Sequence, residues 1–143
     1  MTSLRLAACS LLLLLAAAAD PPPAPWFGTW KLRLANPAEP PETLIYSDAG
    51  GGAMRMESVE ENSILVTRFD GTPAPVGGKA AAAERTLAVT AVSPTSYRWL
   101  FAVAGSPRVA GINTLADDGR SFTERSWRVT APEKVVTLIY DRQ

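Results

Sequence analysis

"FGTWKL", residues 27–32, begins an alternation that continues to Leu34. Gly28, Trp30, Leu32 and Leu34 fall on one face, and Thr29, Lys31 and Arg33 on the other. A period of two marks a β-strand with one buried side. The small residue and the large aromatic share the side that faces a core.

Working outward, the chain reads as more strands broken by turn chemistry. Alternating or apolar runs occupy 42–48, 53–60, 63–69, 85–92, 96–104, 107–116, 121–130 and 134–141. Between them lie Gly50-Gly51-Gly52, Glu61-Asn62, Ser93-Pro94-Thr95, Gly105-Ser106, Asp117-Asp118-Gly119 and Ala131-Pro132, all residue types that favour turns. Strands of this length with short connections describe an antiparallel meander. Lys79–Glu84 (KAAAAE) has helical propensity but is too short to hold a helix alone. The reading is all-β: an antiparallel up-and-down meander barrel of 8–10 strands, since closure removes exposed edges. A purely antiparallel barrel needs an even number of strands, and nine runs are visible. Residues 70–84 are therefore expected to hide a tenth short strand near Ala74–Gly77. An eight-stranded barrel or an open sheet are the alternatives.

In such a barrel Gly28, lacking a Cβ, lets neighbours approach closely at the narrow end. Trp30 is large enough to plug that end and to reach a rim carbonyl with its indole N–H. The G-x-W of Gly28 and Trp30 resembles the first-strand signature of lipocalins and fatty-acid-binding proteins. Ile139-Tyr140-Asp141-Arg142 resembles the last strand of the latter. The layout is similar to small exported bacterial proteins described as lipocalin-like. The domain is expected over 26–143, and if its first and last strands pair antiparallel Arg142 covers the Trp30 ring as a cation–π lid, the alternative being a plain core tryptophan and a frayed terminal charge. Gly28, Trp30 and Arg142 are thus the expected barrel-closing residues. Two departures stand out. The fatty-acid-binding proteins carry a helical lid between their first two strands, whereas Ala35–Pro41 (ANPAEPP) is too short and proline-rich for one. They also hold a carboxylate with an Arg two residues before the last-strand Tyr, where this chain has Leu138.

Residues 1–19 have signal-peptide anatomy: Arg5, then fourteen apolar or small residues, then Ala17-x-Ala19. The apolar stretch is short for a membrane span, which disfavours an uncleaved anchor. Cys9 precedes the Leu11–Leu15 run and is expected to leave with the leader. Residues 20–25 (DPPPAP) form a stiff spacer. The expectation is a periplasmic or secreted protein with no stable membrane anchor after cleavage. Without Arg5 the chain has 13 basic and 14 acidic residues. That balance disfavours a nucleic-acid partner, which needs clustered cations. The processed chain has no cysteine, so packing alone must stabilise it.

The chain has no histidine. With no cysteine in the processed chain either, the commonest general base, the thiolate and the usual transition-metal ligands are missing from it. No metal, cofactor or enzymatic activity is expected. Glu60-Glu61 and Asp117-Asp118 read as turn formers. The remaining chemistry is apolar. Tyr97, Trp99 and Phe101 share a face, as do Met54 and Met56, and Leu138 and Tyr140, with Tyr46 on the second strand. These eight are the candidate lining of a small cavity, since barrels of this size either fill with side chains or hold one small ligand. With Leu138 in place of an Arg, a neutral apolar ligand hydrogen-bonded to Tyr140 fits best, unless Arg125, in phase with Trp127, points inward. The leading expectation is carriage of a small apolar molecule. The alternative is a structural or interaction module of the cell envelope, with a filled barrel and a contact surface on the outer face of Leu100 and Ala102, its protein partner unknown.

Overall fold

A computed structural model describes residues 24–78 and 84–143. The expected leader, residues 1–19, lies outside the described residues, as do most of the expected spacer and most of Lys79–Glu84. A single 3-10 turn, Ala24–Trp26, precedes eleven strands: β1 (Gly28–Leu32), β2 (Thr43–Gly50), β3 (Ala53–Ser58), β4 (Ser63–Thr67), β5 (Asp70–Pro75), β6 (Gly77–Gly78), β7 (Arg85–Ser93), β8 (Ser96–Val103), β9 (Ser106–Leu115), β10 (Ser121–Arg128) and β11 (Ala131–Arg142). All pair antiparallel in one sheet ordered β5-β7-β8-β9-β10-β11-β1-β2-β3-β4-β6. The result is a nearly closed up-and-down barrel. The connection 33–42 contains no helix, so no helical lid covers it.

Eleven strands stand where eight to ten were expected, and the difference lies in residues 70–78. One extended segment is split at Val76 into two strands that sit at opposite ends of the sheet order. β5 pairs with β7, with Pro75 opposite Thr86. β6 pairs with β4, with Gly77 opposite Ile64 and Gly78 opposite Ser63. Val76 donates its N–H to the Arg85 carbonyl at 2.9 Å. The segment thus bridges the two edges, serving one neighbour with its first half and the other with its end. Pro73 and Pro75 have no N–H to give, which suits a strand paired on one side only. Gly78 then turns the chain against β4 at φ 82°. A Cβ there would stand 2.1 Å from the Asn62 carbonyl oxygen, so only glycine fits.

First and last strands pair as the barrel requires, with Trp30 opposite Arg142 and Leu32 opposite Tyr140. Arg33 reinforces this seam from outside, donating from Nε to Asp141 at 2.9 Å. Trp26, Trp30, Tyr97, Phe122, Met54 and Val89 are essentially inaccessible and form the centre of the core. Lys31, on the alternate face, is exposed.

Candidate ligand-binding site

The interior is layered from a sealed end to an open one. At the sealed end the Trp30 indole donates to the Trp26 carbonyl at 3.0 Å. The two rings pack on Phe122 with centroids 5.1 and 5.5 Å away, and Phe122 stacks on Tyr140 at 4.7 Å. Tilted and edge-on contacts of this kind suit the aromatic quadrupole. The Arg142 guanidinium sits 4.1 Å from the Trp30 ring centroid. It donates to the Phe27 carbonyl at 2.7 Å, the Gly119 carbonyl at 2.8 Å and the Pro25 carbonyl. Gly28 makes room for it. Its φ is 141°, and a Cβ would meet Arg142 Nη1 at 2.7 Å. Gly28, Trp30 and Arg142 therefore form one closure.

Above the plug lies a polar layer. Trp99 donates from Nε1 to Asn113 Oδ1 at 2.9 Å. Asn113 Nδ2 donates to the Tyr97 hydroxyl at 2.9 Å, which in turn donates to the Tyr46 hydroxyl at 3.4 Å. Beside this chain stand two carboxyl groups. Glu42 accepts from the Tyr140 hydroxyl at 2.6 Å. Glu124 is in phase with buried Phe122 on β10. Burial first, then the nearby Glu42 charge, push its carboxyl up to about 7, against a smaller opposing effect of the Asn113 amide. Burial likewise pushes the Tyr46, Tyr97 and Tyr140 phenols up, so all three stay protonated. Neither Glu42 nor Glu124 was expected as an interior group. The signal was present for Glu124: Phe122-x-Glu124 puts an acid on the apolar face.

Above that layer a cavity of about 390 Å³ opens to solvent. Its wall is mainly apolar: Leu44, Tyr46, Met56, Leu65, Leu87, Trp99, Phe101 and Val109. Gly111 sets the Trp99 ring, since a Cβ there would fall 2.4 Å from two indole carbons. At the mouth the lining turns polar, with Ser58, Glu61, Ser63 and Arg85.

Of the eight residues expected to line a cavity, Tyr46, Met56, Trp99 and Phe101 do so. Met54 and Tyr97 are packed into the core below. Leu138 and Tyr140 are not among the lining residues. Tyr140 stacks on Phe122 and gives its hydroxyl to Glu42, so its hydrogen bond is already spent inside the protein. Val136, in phase with them, is 55% exposed, on a stretch of β11 that pairs with β10 and lies before the residues paired with β1. Arg125 is exposed and faces outward, as Phe122 and Glu124 fill the inner face of β10. The cation at the cavity is instead Arg85. Asp118 acts within its turn, accepting from the Arg120 amide at 2.9 Å, whereas Glu60 reaches from the β3–β4 turn to β2, accepting from the Thr43 amide and hydroxyl at 2.6 and 2.8 Å.

A groove of about 540 Å³ runs over the outer face of β7 to β10, between Thr90, Arg98, Leu100, Ile112 and Trp127. Among the described residues no three acidic, histidine or cysteine side chains gather as a metal-binding group. No protein-family model matches the chain, and no curated protein matches it.

Proposed function

We propose that this protein is a non-catalytic, lipocalin-like carrier that holds a small, mainly apolar molecule in the open half of its barrel. The observation that carries this reading is the cavity of about 390 Å³ walled by Met56, Leu65, Leu87, Trp99 and Phe101. That volume is in the range of small-molecule sites, which are concave and mostly apolar with few polar groups. Met56 adds a flexible, polarizable surface that adapts to variable ligands. The same barrel is sealed at its other end by Trp30, Trp26 and Arg142, so a ligand enters and leaves by one mouth. Signal-peptide-like residues 1–19 support export to the periplasm or outside the cell as part of this reading, and neither a cofactor nor nucleic acid belongs to it.

Native mass spectrometry of the protein isolated from its exporting host tests this. The expected result is a chain that begins at Asp20, not at an acylated Cys9, and carries a small apolar mass released on activation. Enlarging Leu87 to Trp, which fills the cavity, is expected to abolish that extra mass. The same extra mass on the filled variant would mean that the molecule rides elsewhere.

The outer groove favours a second reading, an envelope interaction module. Leu100 is 37% exposed there beside Trp127. In that case the Leu87→Trp protein keeps its physiological role while Leu100→Glu loses it.

A further inference from the structure

The cavity mouth carries more chemistry than a purely apolar ligand needs. Ser58 ends β3 with its hydroxyl buried and without a hydrogen-bond partner. It faces Ser63 across the β3–β4 ladder, and Ser63 faces Gly78. Arg85 starts β7 on the same rim, one neighbour further round, tied to Val76 by its backbone carbonyl. Arg85 forms no ion pair and no side-chain hydrogen bond among the described residues, and neither does Glu61 in the β3–β4 turn. Glu57, the other carboxylate of the lining, is paired with Arg55 at 2.5 Å. Among the described residues the lining thus offers one unpaired cation, one unpaired carboxylate and one orphaned hydroxyl, all on the β3-to-β7 side of the opening.

A buried hydroxyl without a partner is costly, and native proteins leave few of them. A free charge of each sign at an apolar opening favours a partner with both signs, because a singly charged head would meet attraction at one group and repulsion at the other. We infer that the cavity takes amphiphiles with a zwitterionic head, the anionic part on Arg85 and Ser58, the cationic part on Glu61, and the tail among Met56, Leu87, Trp99 and Phe101. This rests on the carrier reading above and adds the head-group class and its orientation: tail inward, head at the rim. Arg85 provides planar donors suited to either a carboxylate or a phosphate.

The test is calorimetric titration with one dodecyl tail and five heads, all below micelle formation: dodecanol, dodecanoate, dodecyltrimethylammonium, dodecyl betaine and dodecylphosphocholine. Both zwitterions are expected to bind about fivefold tighter than the alcohol, the size of two exposed ion pairs. The last two separate a carboxylate from a phosphate as the preferred anion. Arg85→Leu and Glu61→Gln are each expected to shrink the zwitterion-to-alcohol ratio. Ser58→Ala is expected to weaken the zwitterions while leaving the empty protein as stable as before or more so, which a purely structural serine would not do. If the alcohol or either singly charged ligand binds as well as the zwitterions, the head-group assignment is wrong and the carrier reading survives. If no dodecyl ligand binds, both are lost.

Discussion

Gly28 and Trp30 are two residues apart in sequence and act as one device with Arg142. Trp30→Ala is expected to cost about 3–5 kcal/mol, through lost burial and the cavity left behind. Lys31→Ala, one residue on but outward, is expected to change stability by less than about 0.5 kcal/mol. Gly28→Ala adds little bulk, yet a side chain is strained at its φ of 141°, and a Cβ at 2.7 Å would push the Arg142 guanidinium from its place. A loss of about 1–3 kcal/mol is expected. Denaturant titration ranks the three, and equal effects for Trp30 and Lys31 would contradict the register. Glu124 is the residue whose charge should show in a pH series. Its carboxyl titrates near 7 when folded and near its ordinary 4.5 when unfolded. Between those values the folded state holds the extra proton, so stability is full below about pH 4.5 and falls as pH rises through 7. Glu124→Gln is expected to be more stable than the parent at pH 8, by at most about 3 kcal/mol. The gap should close toward pH 4.5. A constant gap across that range would place Glu124 in water.

The strands were the most legible elements, because period-two patterning and turn residues both point to them. Each of the nine visible runs corresponds to a strand, and ends differ by a few residues. Parity argued for one more, and the structure supplies it as two short pieces either side of Val76. That split was hidden because its cause is not periodic: two prolines that can pair on one side only, and a glycine pressed against Asn62. Half of the expected lining was legible for the same reason that the strands were. Inward phase is readable from sequence, but height along the barrel is not. Met54 and Tyr97 have the right phase and lie too low, and Tyr140 has it and is committed to Glu42. Arg85 was missed because it stands at a strand's first residue, where phase is hard to assign beside KAAAAE. The bridging role of β6 is open to a direct check. Gly78→Ala brings a Cβ within 2.1 Å of the Asn62 carbonyl. It is expected to lower stability by about 1–3 kcal/mol. Hydrogen exchange should quicken along β4, while the Val76 amide, bonded to Arg85, stays protected. Unchanged exchange along β4 would mean that β6 does not close the barrel.

At the scale of the whole molecule, the barrel divides its interior by height. Aromatic rings fill the sealed end, a band of hydroxyls, amide and carboxyls crosses the middle, and an apolar cavity opens above. A molecule filled throughout has no room for a ligand, whereas this one keeps its empty space next to its entrance. Two methionines sit on either side of that boundary. Met56 lines the cavity, and Met54 is fully buried beneath it. The most direct measurement is NMR of protein labelled at its methionine methyl groups and titrated with dodecanol. The Met56 methyl is expected to shift, saturably, and the Met54 methyl to move much less. Saturable binding that leaves Met56 still would put the ligand outside the barrel and contradict the carrier reading.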